Sequence, residues 1–156
     1  MLKKQGFTLM ELLIAATIIS ILLVFATVQY RNSAAETRWN QAKSRLDQLA
    51  NAVQRAELDY DGIVIQGQMH NSDSPTSCTL NQPGKDPYKL IGCGYLENGM
   101  WSDPYFAYYA CRGAGDSSTC KNNALACVRG IVGSKLPSAY QSYMYCVWPD
   151  DVREYN

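Results

Sequence analysis

The first part of the chain lacks every strong helix breaker. Residues 7–61 contain no glycine, no proline and no cysteine, and all six prolines and all six cysteines lie beyond residue 74. Glycine and proline are the residues that most disfavour the interior of a helix. The sequence therefore predicts one long helix over about residues 8–60, followed by a segment of different composition.

Net charge and histidine are also scarce. Fourteen basic side chains balance fourteen acidic ones, which argues against a protein that coats nucleic acid. The single histidine, His70, argues against histidine-based triads and multi-histidine metal sites. No Walker A, G-x-S-x-G or H-E-x-x-H motif occurs, so the sequence predicts no enzyme, no metal and no cofactor. The acidic pairs Asp59/Asp61 and Asp150/Asp151 are better explained as solvated ends of elements than as a calcium site.

A long apolar run is present near the N-terminus. Residues 7–28 read FTLMELLIAATIISILLVFATV, and about 22 helical residues span about 33 Å, which matches the core of a bilayer. Lys3 and Lys4 precede the run and favour an N-in, C-out orientation. Arg31 after the run reduces this charge asymmetry. A cleaved signal peptide or a plain anchor has the same pattern. Glu11 argues against both, because a carboxylate inside an apolar span costs a few kcal/mol and usually has a partner.

The residues around Glu11 form a specific motif. Residues 3–11 read KKQGFTLME and resemble the prepilin motif K-x-G-F-T-L-x-E of type IV pilins, of type II secretion pseudopilins and of competence pilins. The resemblance implies that a membrane aspartic prepilin peptidase cleaves between Gly6 and Phe7 and methylates the new amine of Phe7. The basic leader with Lys3 and Lys4 is removed, and the apolar run is kept as a membrane anchor and then as the core of a fibre.

The motif implies a role for Glu11 in assembly. After cleavage the amine of Phe7 is a buried cation in the fibre, and the carboxylate of Glu11 from a neighbouring subunit can neutralise it. Removal of either partner leaves an unpaired buried charge, which costs several kcal/mol. We therefore predict that Glu11 and Phe7 set the axial register of subunit addition. The alternative is that Glu11 snorkels or is protonated and is only tolerated.

Beyond residue 30 the helix becomes one-sided. Its apolar residues follow alternating steps of four and three, which predicts packing on a downstream sheet, with a coiled coil as the alternative. Lys43 with Asp47, and Arg55 with Asp59, are spaced to pair weakly on the exposed face, and Gly62 is expected to end the helix. The stripe comprises Ala35, Trp39, Ala42, Leu46, Leu49, Val53, Ala56 and Tyr60.

The remainder of the chain has the composition of loops and short strands. Strands are predicted at residues 105–111, 125–129 and 143–148, joined as an antiparallel meander. The predicted fold class is α+β, and the resemblance implies the type IV pilin fold, in which the long helix packs on a C-terminal antiparallel sheet with disulfide-stapled loops. The expected divisions are a leader (1–6), a transmembrane and fibre-core half of the helix (7–30), an amphipathic half (31–61), and an αβ-loop, sheet and disulfide region (62–156).

Six cysteines lie on the side of the membrane predicted to be exported. None forms C-x-x-C, which favours disulfides over zinc or thioredoxin-like chemistry, with free thiols as the alternative. We predict sequential pairing, and the last pair would tie the end of the chain to the sheet, as a C-terminal disulfide loop does in many pilins. The predicted pairs are Cys78 with Cys93, Cys111 with Cys120, and Cys127 with Cys146.

The sequence as a whole predicts a structural subunit that polymerises with itself and related pilins into a type IV pilus. The resemblance implies three partners: the prepilin peptidase, an inner-membrane assembly platform and the ATPase of that platform. It also implies a single-pass inner-membrane location before assembly and then a cell-surface pilus. Two alternatives stay open. One is a pseudopilin in a periplasmic filament of type II secretion, and the other is a membrane-anchored minor pilin that captures DNA or another ligand.

Overall fold

A computed structural model describes residues 8–60, 64–69, 87 and 89–155. Its longest element is the helix α1, Leu9–Asp59, which lies within one residue of the predicted span at each end. The absence of glycine and proline from this stretch explains its length, because no residue interrupts the ladder of backbone hydrogen bonds. The predicted stop at Gly62 lies outside the described residues. The chain divides into two compact units between Thr37 and Arg38.

Among the described residues of the second unit, five short strands form one antiparallel sheet, and each pairs with the next along the chain. The predicted α+β architecture and its meander are thus confirmed. The first and last strands were not predicted, since one reads Gln-Gly-Gln and the other is largely exposed. The strands are β1 Gln66–Gln68, β2 Phe106–Cys111, β3 Ala126–Gly130, β4 Met144–Val147 and β5 Val152–Tyr155, with the short helices α2 Lys89–Gly92 and α3 Ser138–Gln141 between them.

The apolar stripe of α1 packs on this sheet. The ring of Trp39 lies 5.4 Å from that of Phe106, and in the same core Trp101, from the loop before β2, meets Tyr108 edge-on at 5.6 Å. Ala50 and Ala52 are buried as well, so the stripe is wider than predicted. The buried residues of the second unit's part of α1 are Trp39, Ala42, Leu46, Leu49, Ala50, Ala52, Val53 and Ala56, and Tyr60 packs against them.

The opposite face of the sheet carries a second, smaller core. Side chains alternate between the two faces along a strand, so Tyr108 and Val128 face α1 while their neighbours face away. The second core contains Met144 and Ala124 but consists mainly of half-cystines. Its cysteines are Cys111, Cys120, Cys127 and Cys146. This outer face of the sheet, the one away from α1, is therefore held together largely by disulfide bonds.

The charged residues of α1 reach other elements of the second unit instead of pairing along the helix. Lys43 forms an ion pair with Glu154 on β5, and Asp59 accepts a hydrogen bond from Tyr95. The predicted pairs of Lys43 with Asp47 and of Arg55 with Asp59 are wrong: neither ion pair forms between these described residues, and Lys43 and Asp59 instead have partners across the fold. Two further ion pairs join α1 to the loops beside β2, Arg45 with Asp103 at 2.9 Å and Glu57 with Arg112.

Replacement of Gly130 by alanine is expected to destabilise the second unit by about 2 kcal/mol, within the range for overpacked sites. A Cβ atom at Gly130 would lie 2.0 Å from the carbonyl oxygen of Tyr140, so the backbone around α3 would have to move. Denaturant melting of the full chain in detergent measures the effect. Gly115→Ala is the matched control, since a Cβ there meets no atom within 4 Å. Equal midpoints for the two variants would contradict this packing.

Candidate functional site

The described N-terminal part of α1 presents an exposed apolar surface. Every described residue from 8 to 33 is exposed, and the large apolar ones include Leu13, Ile18 and Phe25. By length and composition this helix can cross a membrane. A soluble monomer rarely leaves so much apolar surface in water. This surface is consistent with burial by lipid or by other protein chains.

Hydroxyl groups within the apolar surface are satisfied by the helix itself. Thr17 donates a hydrogen bond to the carbonyl of Ile14 at 2.7 Å, and Ser20 donates to that of Ala16 at 2.8 Å. Thr27 donates in the same way to a carbonyl in the preceding turn. Such bonds spare a polar side chain the cost of being without a partner in hydrocarbon. The carboxylate of Glu11 is the one charge in the sequence between residues 9 and 30.

Glu11 takes part in a capping box at the start of α1. Its Oε2 atom accepts hydrogen bonds from the backbone N–H and the hydroxyl of Thr8, both at 2.9 Å. The Thr8 hydroxyl oxygen in turn accepts the backbone N–H of Glu11 at 3.3 Å. This reciprocal arrangement satisfies donors that the first helical turn otherwise leaves free. The signature Thr-x-x-Glu is visible in the sequence, but Glu11 was predicted only as an assembly residue and not as a cap.

The capping box fixes the carboxylate beside the helix N-terminus, where the helix dipole also favours a negative charge. Glu11 is nevertheless exposed. The structure thus presents a pre-positioned carboxylate on an apolar surface, which is the property that pairing with a cation from another chain requires. The other residues of the predicted processing and assembly site lie outside the described residues; they are Lys3, Lys4, Gly6 and Phe7.

Disulfides join the cysteines of the outer face. Cys111 is bonded to Cys120, and Cys127 is bonded to Cys146, which are two of the three predicted pairs. Cys127 and Cys146 lie directly opposite each other on β3 and β4. Cys93 is disulfide-bonded as well, and its predicted partner Cys78 lies outside the described residues. Such bonds persist in oxidising compartments.

Two of the acidic residues weighed as a calcium site, Asp59 and Asp151, are engaged by protein groups, and Asp61 lies outside the described residues. Asp151 accepts a hydrogen bond from Arg153 at 2.7 Å, and this bond lowers the pKa of Asp151. Asp59 accepts the hydroxyl of Tyr95, which raises the pKa of Tyr95 to about 12. Within the described ranges no group of three or more His, Cys, Asp or Glu side chains is placed to hold a metal ion. His70 lies outside the described residues.

Comparison with known proteins agrees with the motif around Glu11. The family model described as the prokaryotic N-terminal methylation motif matches residues 1–27. The type IV major fimbrial protein FimA of Dichelobacter nodosus is 32% identical over 92 residues, which are 53% of this chain and 58% of that protein. A fimbrial protein of Pseudomonas aeruginosa is 39% identical over 61 residues, which are 39% of this chain and 40% of that protein.

The chain spans a little over half the length of the first of these relatives and less of the second. No solved structure matches the chain. The predicted resemblance is confirmed: residues 1–27 carry the prokaryotic N-terminal methylation motif, and the chain is similar to type IV fimbrial proteins.

Proposed function

We propose that this chain is a prepilin whose mature form begins at Phe7 and polymerises into a type IV pilus. The observation that carries the proposal is the position of Glu11. A capped carboxylate stands in the first turn of an exposed apolar helix, inside a stretch that matches the methylation motif. The names of the relatives support a fibre subunit. No catalytic chemistry is needed for this role, which depends on surfaces.

Maturation prepares the apolar surface for assembly. The prepilin peptidase cleaves after Gly6, removes the leader with Lys3 and Lys4, and methylates the amine of Phe7. The apolar half of α1 (7–30) first crosses the inner membrane once, with the N-terminus in the cytoplasm. The amphipathic half (31–61) and the region after it (62–156) lie on the exported side, where an oxidising environment supports the disulfides of the second unit.

Assembly moves the apolar helix from lipid into a bundle of identical helices. The apolar side chains that lipid covers before assembly are then covered by neighbouring helices, so they stay out of water. The charged groups therefore decide how the subunits align. The carboxylate of Glu11 pairs with the amine of Phe7 on a neighbouring subunit, and this pair sets the axial register. A platform protein in the inner membrane and its ATPase supply the work of extraction.

N-terminal mass spectrometry of the native protein tests the maturation step. We expect a single N-terminus at N-methylated Phe7, because small Gly6 leaves the scissile backbone accessible to the peptidase. Gly6→Val should block this cleavage and keep the leader attached. A native chain that is uncut, or that is cut after Ala26 like a secretory signal, would contradict the proposal.

The location of the fibre separates the pilus from the pseudopilus. The major fimbrial name carried by one relative favours the surface pilus for this chain. Immunogold labelling of intact cells should show fibres that contain the chain. Loss of protein secretion in a deletion strain, without surface fibres in the parent, would instead assign the chain to a secretion pseudopilus.

A further inference from the structure

An open hollow lies on the outer face of the sheet, beyond the end of β2. Its volume is about 560 Å³, and it is bordered by the loop that the Cys111–Cys120 disulfide closes. Tyr109 and Ala114 supply apolar surface, and Asp116 is the one charged residue among the described residues that line it. The disulfide holds this loop in place. The hollow is therefore a preformed depression with a mixed polar and apolar lining and a negative charge at its border.

A tight turn projects from the sheet after β3. Ser134 donates its N–H to the carbonyl of Ile131 at 3.2 Å, and Gly133 has a φ of 82°, which a glycine adopts without steric cost at the third position of such a turn. Val132 stands at the tip and is 73% exposed. The turn thus presents an apolar side chain to solvent.

The side chain of Gln141 holds this turn rigid. Its Oε1 accepts the N–H of Gly133 at 3.1 Å, and its Nε2 donates to the carbonyls of Ser134 at 3.1 Å and Leu136 at 2.8 Å. A turn ordered before contact loses little conformational entropy when it binds. Lys135 is exposed beside the tip and forms no ion pair with any described residue.

The turn and the hollow lie at opposite ends of the same pair of strands. β2 and β3 are antiparallel, with Phe106 opposite Gly130 and Ala110 opposite Ala126. The turn follows Gly130, so it leaves the sheet at the Phe106 end, while the hollow lies beyond Cys111 at the other end. Two copies placed end to end bring the turn of one next to the hollow of the other. A contact of this head-to-tail kind repeats without closing, which is what a filament requires.

We propose that the turn at residues 131–135 of one copy docks in this hollow of the next copy. Val132 packs against Tyr109 and Ala114, and Lys135 pairs with Asp116. The proposal rests on the proposed function, because it assigns a subunit contact within the fibre. Charge complementarity favours a second copy of this chain as the occupant, since each surface carries one charge and the two charges are of opposite sign.

A charge exchange in the full chain tests the contact. Lys135→Glu and Asp116→Lys should each lower the yield of sheared fibres at least fivefold, and the double variant should restore more than half of the yield. Lys121→Glu, which also reverses a lysine of the outer face, one that is half-buried over the ring of Tyr155, should leave the yield unchanged. Single variants that assemble normally, or a double variant that assembles no better than either single one, would overturn the proposal.

Photo-crosslinking in intact fibres provides a second readout that does not depend on the charges. A benzoylphenylalanine placed at Val132 should join the tryptic peptide 113–121 of another copy, and the same probe at exposed Asn98 should not. An adduct on peptide 90–112, which carries Tyr109, also agrees with the contact, whereas a Val132 adduct confined to other peptides would overturn it. The outcome is separable from the proposed function. Fibres that depend on Glu11 but show no adduct between the probe at position 132 and peptide 113–121 or 90–112 refute only the contact. A wild-type chain that forms no fibre refutes both.

Discussion

Cells that carry Glu11→Ala are expected to process the chain and insert it in the membrane normally, yet to yield at least about tenfold fewer fibres. In the assembled state the methylated amine of Phe7 would lose its counter-charge in an apolar environment, and an uncompensated buried charge costs about 3–5 kcal/mol. Because about 1.4 kcal/mol corresponds to a factor of ten in an equilibrium, the loss of this pair lowers the assembly equilibrium by more than tenfold. This effect is larger than that of changing the apolar contact of one side chain. The sheared fibre fraction and the membrane fraction are quantified by immunoblot.

Ser20→Ala is the matched control for this experiment. It also removes a polar group from the same apolar segment, but the hydroxyl of Ser20 is bonded only to the carbonyl of Ala16 in its own helix. Its fibre yield should equal that of the wild type. Glu11→Gln keeps the size of the side chain and removes the charge, so it should behave like Glu11→Ala. Normal fibres from Glu11→Gln would show that capping of the helix, and not charge pairing, is the function of this residue.

The double variant Cys127→Ala/Cys146→Ala should lower the free energy of unfolding of the second unit by about 3 kcal/mol. The chain-entropy estimate for a loop of this size gives that magnitude, and the two cysteines are separated by 19 residues in sequence. Both lie on the strands β3 and β4 and are fully buried in the second, smaller core on the outer face of the sheet. Removal of the bond therefore loosens the unfolded chain and also leaves two small voids. Denaturant melting of the full chain in detergent measures the loss.

Cys111→Ala/Cys120→Ala provides the comparison within the same core. Its loop is shorter, with a sequence separation of 9, so the expected loss is slightly smaller. Both variants should retain the cooperative transition, because the main core between α1 and the sheet does not include these cysteines. A Cys127/Cys146 variant as stable as the wild type would show that the second, smaller core does not depend on its disulfides.

Local rules predicted the longest element and the principal packing surface of this protein. Residues 7–61 lack breakers, and the apolar spacing from Trp39 onward marks the face that packs on the sheet. Strands β2, β3 and β4 were predicted because they lie in short runs that contain aromatic residues, valine or both. The edge strands β1 and β5 were missed, since the first contains glycine and the second is exposed. Edge strands form where a neighbour offers backbone partners, which a single stretch of sequence does not reveal.

The candidate assembly site was predicted from its motif, but its local geometry was not. The sequence identified Glu11 as a carboxylate in need of a partner. The structure adds Thr8, which holds that carboxylate at the helix start. In the same way, the spacing of Lys43 and Asp47 predicted a pair on the helix, whereas Lys43 pairs with Glu154. Contacts between residues 111 positions apart depend on how the chain returns to α1.

The sequence by itself determined what depends on order along the chain: the uninterrupted helix, the apolar run with its single carboxylate, and the placement of all cysteines in the second part. These properties follow from local geometry and from composition. Only the tertiary structure decided which side chains meet. The sheet places Cys127 opposite Cys146, brings Glu154 to Lys43, and separates the Val132 turn from the hollow near Asp116. Such contacts join distant positions, and they form only when the packing of the core fixes the register of the strands.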